Sequence, residues 1–289
     1  MTQLFPNGPL VVVLGNERPI MAWLTVLLNG VGSNDCYLEC MRIAILADIH
    51  GNFLALEAVL ADLRGRAPDH IINLGDCVSG PLWPRETAEK LISLGWPTVR
   101  GNHDRWVTDL EPDNQYSSDA FARRSLSTEQ LLWLSSLPQT LGLAAGIFAC
   151  HGRPKDDNAY MLENVVSGRL ALASRAEIAE RTASIAAQIV LCGHSHIPRI
   201  VRTDSVLIVN PGSVGQPAYE DPTQPAHVCE TGSPLASYAI VSIRSGLITT
   251  EIISVSYDHV AAAERAEGNG SSSWGHYLRT GFAHHPSAP

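Results

Sequence analysis

Asp48 and His50 stand two residues apart at the end of the apolar run Ile43 to Ala47, inside the stretch MRIAILADIHGN of residues 41–52. On an extended chain residues i and i+2 leave the same face, so a carboxylate oxygen and an imidazole nitrogen are presented side by side. Such a pair is half of a metal site. Four later stretches share this construction, a polar cluster directly after an apolar run. They are LGDC at 74–77 with Asp76, GNHD at 101–104 with Asn102, His103 and Asp104, CHG at 150–152 with His151, and GHSH at 193–196 with His194 and His196. Oxygen and imidazole donors without thiolate suit borderline divalent ions such as Mn, Fe, Co, Ni or Zn. Two octahedral ions need more donors than one strand end presents, and several strand ends converging on one rim supply them.

The clusters require strands to hold them. Ile43 to Ala47 reads as a buried strand. Phe53, Leu56, Leu60 and Leu63 then recur at steps of three and four, one face of a helix that Gly65 is placed to stop. A second unit repeats the order, with a strand over 70–74, a loop over 75–80 and a helix from about Pro84 to Gly95. Residues 96–100 are expected as a short third strand delivering GNHD. This alternation predicts a parallel or mixed sheet with helices outside and every cluster at the carboxyl ends of strands, where open α/β sheets bind ligands.

Residues 105–126 read as a loop with at most one helical turn, a candidate lid. Ser127 and Gln130 form a capping-box pattern that starts a helix running to about Ser136. Ala145 to Cys150 reads as a strand, the alanine-rich Arg169 to Ala187 as an outer helix, and 189–192, 199–203 and 206–209 as further strands. After the loop NPGSVGQP at 210–217, residues 237–243 and 248–255 alternate as a hairpin expected to close a second sheet. The tail 258–289, rich in Gly, Ser and His from about Ala261, is expected to be disordered. Residues 1–40 carry no catalytic-looking cluster and are expected to be an N-terminal extension, with the functional chain opening at Met41.

Composition sets the outer bounds. The 289 residues are 45% hydrophobic and 17% charged, an ordinary globular balance. A net charge of −9 argues against a broad basic surface, so no stable nucleic-acid partner is expected. The six cysteines, at 36, 40, 77, 150, 192 and 229, have no CxxC spacing, which fits a reducing cytosol and a cytoplasmic protein. Cys77, Cys150 and Cys192 read as small buried residues beside the clusters. The longest apolar stretch, Ile20 to Val31, is too short to span a bilayer, so no membrane partner is expected.

Taken in order, D-x-H, G-D, G-N-H-D, H-G and G-H-x-H over residues 41–257 resemble the calcineurin-like metallophosphoesterase superfamily. The NPGSVGQP loop is similar to that of its small bacterial and archaeal branch of single-domain phosphoesterases. The resemblance implies an α/β fold, a four-layer α/β/β/α sandwich with two mixed β-sheets. It implies two divalent transition-metal ions, manganese foremost, with Asp48, His50 and His196 on the first, Asn102, His151 and His194 on the second, and Asp76 bridging both.

It further implies hydrolysis of phosphate esters by a hydroxide bridging the two ions, diesters ahead of monoesters. His103 would protonate the leaving oxygen or stabilise the phosphoryl charge, and Asp104 would either orient His103 or cap a helix. Arg105, Arg153 and Arg199 are candidates for holding substrate phosphate. The substrate is expected to be a small phosphate ester or a phosphoprotein. Phosphoprotein or dinucleoside polyphosphate phosphatase, and a non-catalytic scaffold, are the alternatives on the same fold. Homo-oligomers are known among relatives, and assembly is left open.

Overall fold

A computed structural model describes residues 40–109 and 116–283. The expectation for the leader therefore falls almost wholly outside the described residues.

The apolar run before Asp48 forms β1 (Met41–Leu46), whose last four residues are buried. Helix α1 (Phe53–Arg66) follows, capped by the Asn52 side chain, which accepts from the Ala55 amide, and burying Leu56, Val59 and Leu63. Strand β2 (His70–Asn73) and helix α2 (Pro84–Leu94) repeat the unit, with proline at the helix start. Next come α3 (Asn102–Asp109), α4 (Ser117–Ser125), α5 (Thr128–Ser135), β3 (Thr140–Leu143), β4 (Ile147–Cys150), β5 (Glu163–Val166), β6 (Arg169–Leu172) and α6 (Arg175–Thr182). The chain continues through β7 (Ile189–Leu191), β8 (Arg199–Arg202), β9 (Leu207–Asn210), β10 (Ala218–Asp221), β11 (His227–Glu230), β12 (Ala236–Arg244) and β13 (Leu247–Val255). It closes with α7 (His259–Gly268) and α8 (Ser272–Thr280).

Two mixed sheets face one another, in the orders β13-β12-β1-β2 and β3-β4-β7-β9-β8. Ile43, Ile45, Ala239 and Val241 of the first interleave with Ala149, Ile189, Leu191 and Val209 of the second in one core cluster. Burying each such aliphatic side chain contributes roughly 1.5–3 kcal/mol. The outer face of the first sheet is covered by Leu56 and Val59 of α1, Leu91 of α2 and Leu134 of α5. The outer face of the second is covered by Ile178 of α6. This is the four-layer sandwich.

Strand direction explains where the polar clusters lie. β1 and β2 run parallel, Asn73 bridges in parallel to Thr98, and β4, β7 and β9 run parallel in the other sheet. The residues just past these strands therefore emerge at the same edge, the carboxyl rim.

Several expectations are corrected. The third strand over 96–100 is reduced to the single bridge at Thr98. The hairpin β12–β13 joins the first sheet beside β1, with Ile43 opposite Val241, rather than closing a second one. Its central position explains why β12 is buried on both faces and alternates poorly. Arg169 begins strand β6, paired with β5, and the helix starts only at Arg175, where Ser174 and Glu177 make a capping box. Beyond the two facing sheets lies a third, β10-β11-β6-β5. The described part of 105–126 is largely helical, in α3 and α4, and the expectation for 110–115 lies outside the described residues.

The tail is corrected most. Through residue 283 it is ordered, and α7 and α8 bury Ala262, Ala266, Trp274 and Leu278 against Leu82 and Ala218. Glycine and serine at 268–273 mark the turn between two helices, and the apolar residues on either side were the signal for packing.

Candidate metal centre and active site

The carboxyl rim gathers Asp48, His50, Asp76, Asn102, His151, His194 and His196, each 9% exposed or less. The donor atoms form two groups, Asp48, His50 and His196 in one and Asp76, His151 and His194 in the other, and within each group they lie no more than 4.8 Å apart. Asn102 joins the second through its Oδ1, 2.9 Å from His151 Nε2. Asp76 Oδ2 lies between the groups, 3.2 Å from His151 Nε2 and 3.7 Å from His50 Nε2.

The backbone is strained to achieve this. Among the described residues nine other than glycine have positive φ, and five of them are Asp48, His50, Asp76, His194 and His196. Such conformations cost of order 1 kcal/mol or more each and cluster where function holds them. Close approach of neighbouring loops holds them here. Val214 and Gly215 amides donate to the Ala47 and Asp48 carbonyls at 3.0 Å, so the NPGSVGQP loop straps the Asp48 turn. A Cβ on Gly215 would land on the Ile49 carbonyl, and one on Gly101 would land on the Asp76 carboxylate.

Hydrogen bonds fix the imidazole tautomers. Nδ1 of His50, His151 and His196 donates to the carbonyls of Ser79, Leu74 and Gln216 at 2.7, 2.8 and 2.8 Å. Their Nε2 atoms are thereby turned inward, as a lone pair on neutral His50 and toward the Asp76 carboxylate on His151, the orientation of metal-bound histidine. His194 is reversed, its Nε2 donating to the Asn158 carbonyl at 3.0 Å, which leaves Nδ1 as its basic nitrogen.

These inward atoms are a poor set for an empty core. Nε2 of His50 and Nε2 of His196, two lone pairs, face each other at 3.2 Å. Asp48 and Asp76 each use one oxygen to accept a backbone amide, from His194 at 3.2 Å and His103 at 2.9 Å. Their other oxygens, Asp48 Oδ1 and Asp76 Oδ2, are buried and accept no hydrogen bond. Burying an unpaired carboxylate oxygen is costly unless a cation meets it. The donor set therefore fits two small cations, with Asp48, His50 and His196 around one, Asn102, His151 and His194 around the other, and Asp76 reaching both.

Electrostatics agree. Burial pushes His50 down to about 3, and burial with the neighbouring His151 does the same to His194, so both rings stay neutral at neutral pH. Burial also opposes charge on His151, yet Asp76 and Asp48 outweigh it and raise that ring to about 10. The pocket thus draws positive charge inward. Thiolates are excluded from this role: burial raises Cys77, Cys150 and Cys192, and Cys150 Sγ donates to the Gly152 carbonyl.

His103 sits at the edge of this floor, 24% exposed, and its Nδ1 lies 2.8 Å from Asp119 Oδ1 and 3.4 Å from Ser79 Oγ. Burial opposes its charge, but Asp119 and Asp76 overcome this and raise it to about 9. Asp104 does not orient His103. Its oxygens accept from the amides of Asp76, Cys77 and Gly101 at 2.8, 2.8 and 3.0 Å, which knits the two ligand loops together. Asp119, on the segment read as a loop, takes the expected place of Asp104. No spacing in the sequence marked it, because α4 reaches the site only through tertiary packing. The three arginines are spoken for: Arg105 pairs with Asp157, Arg153 donates to the Tyr160 carbonyl, and Arg199 pairs with Glu163.

Residues 41–242 match the calcineurin-like phosphoesterase superfamily domain, and the chain belongs to that superfamily. It is 28% identical over 257 residues to the uncharacterized protein MJ0912 of Methanocaldococcus jannaschii, an overlap of 80% of this chain and 94% of that one. It is similar to a metallophosphoesterase from Sphaerobacter thermophilus, with a TM-score of 0.66 and 27% identity over 84% of this chain and 99% of that one. The fold is also that of the hypothetical protein PH1004 from Pyrococcus horikoshii, with a TM-score of 0.67 and 21% identity over 84% of this chain and all of that one.

Proposed function

We propose that the protein is a phosphodiesterase that uses two divalent ions, manganese foremost, held by Asp48, His50, His196, Asn102, His151 and His194 with Asp76 shared. The observation that carries the reading is the pair of bare carboxylate oxygens, Asp48 Oδ1 and Asp76 Oδ2, set among inward-turned imidazole nitrogens. Ions bound there supply Lewis-acid charge to the phosphoryl oxygens and a water-derived nucleophile at neutral pH.

The chain's own residues do the rest. A bond forms between phosphorus and the water oxygen, the bond to the leaving oxygen breaks, and the water proton passes to solvent. His103, held by Asp119, gives its proton to the leaving oxygen. Among the described residues no lysine or arginine lines the cleft above the floor. A monoester dianion would lack a second cationic contact there, which favours the singly charged diester.

Purified protein loaded with Mn or Ni is expected to hydrolyse bis(4-nitrophenyl) phosphate faster than 4-nitrophenyl phosphate. Hydrolysis of neither would overturn the reading.

A further inference from the structure

The cleft over the metal floor, about 210 Å³ and open to solvent, is lined by aromatic and acidic side chains. Trp106 and Tyr116 bring their rings together 5.3 Å apart on one side, with Trp106 4.8 Å from His103. Trp274 of α8 stands 6.0 Å from His50 on another. Glu220 and Asp221, at the end of β10, complete the mouth, and Asp221 lies close enough to raise the Tyr116 hydroxyl, after burial. Lysine and arginine are absent from this lining among the described residues, and its cationic side chain, His103, stands at the edge of the floor, while Asp76 Oδ2 is buried below and turned to the same space.

This lining discriminates among phosphoesters by the charge of the organic group. The phosphoryl group belongs on the floor, against the ions. Whatever hangs from it then meets aromatic faces and two carboxylates. Polyphosphates would bring further negative charge against Glu220 and Asp221 at the mouth, where the nearest guanidinium, Arg105, lies 5.8 Å from the Trp106 ring and is paired with Asp157. An ammonium group would gain both from the ring quadrupoles and from the carboxylates.

We propose that the substrate carries a single phosphoryl group esterified to an ammonium-bearing organic group, seated between Trp106, Tyr116 and Trp274 and facing Asp221 and Glu220. The proposal rests on the phosphoesterase reading for the floor alone. The wall supplies the specificity, and α8 lies beyond the part of the chain that matches the superfamily domain, residues 41–242.

The test compares two probes of one shape, phosphorylcholine and its uncharged carbon isostere 3,3-dimethylbutyl phosphate, titrated into the Mn-loaded protein with intrinsic tryptophan fluorescence as the readout. Their 4-nitrophenyl diesters are assayed for turnover in parallel. The choline compound is expected to bind about tenfold more tightly or better, an advantage that shrinks in high salt and in Asp221→Asn. Equal affinity, a preference for the neutral isostere, or binding of neither overturns the proposal. Turnover of both diesters without preference likewise overturns it and leaves the hydrolase reading standing, whereas selective binding without turnover supports it and overturns the hydrolase reading.

Discussion

The floor of the cleft and the wall above it differ in how their side chains are held. Floor residues sit on the carboxyl rim and are buried, five of the seven in left-handed backbone, with each imidazole fixed by a backbone carbonyl. Wall residues come from helices α3, α4 and α8 and the end of β10, are held by side-chain packing, and range from buried Trp274 to Tyr116 at 38% exposed. A floor made this way tolerates little change, because every donor depends on a neighbouring loop. The wall can vary without moving the floor. That separation lets one fold keep its chemistry while its substrates differ.

His103 and Asp119 join the two regions, and replacing them shows how far the separation holds. His103→Ala is expected to slow hydrolysis of an alkyl diester by about 10²- to 10⁴-fold, the range for a lost general acid. With a 4-nitrophenolate leaving group, which needs no proton, the loss is expected to be far smaller. Equal losses on both substrates would assign His103 to the floor instead.

Asp119→Asn is expected to cost less, about tenfold, and to move the pH profile. Against burial, Asp119 raises His103 above the ordinary histidine value, so activity should fall on the alkaline side as that ring loses its proton. Without the Asp119 carboxylate that limb shifts to lower pH. The same sign holds for stability: a raised histidine contributes fully below its ordinary 6.5, and the contribution disappears as pH rises through about 9. An unmoved alkaline limb in the variant would remove Asp119 from the account.

The smallest effect is expected away from both regions. Ser127 and Gln130 make a reciprocal capping box at the start of α5. Ser127→Ala should cost about 1 kcal/mol of stability, a fall of roughly 2–4 °C in Tm, with metal content unchanged.

The same contrast governs what the sequence disclosed. Floor residues were legible because each follows an apolar run in the sequence, and most of those runs are parallel strands that deliver their ends to one rim. The α5 cap was legible because its bonds are local. Asp119, Trp274 and Tyr116 were not, since only packing between distant segments brings them to the cleft. Likewise the position of the β12–β13 hairpin depends on its partner β1, 198 residues away in register at Ile43 and Val241, rather than on its own pattern. For Asp104 the helix-capping alternative holds, since its side chain accepts from the Gly101 amide at the start of α3, whereas adjacency to His103 in sequence does not set the direction in which a helical side chain points.

Metal content measured on the purified protein and on Asp76→Asn, alongside anomalous scattering from a Mn-soaked crystal, tests the floor most directly. The account predicts about two ions per chain, one beside Asp48, His50 and His196 and one beside Asn102, His151 and His194, with at least one lost in the variant. Ions bound elsewhere, or a variant that holds both as tightly as the parent, would contradict it.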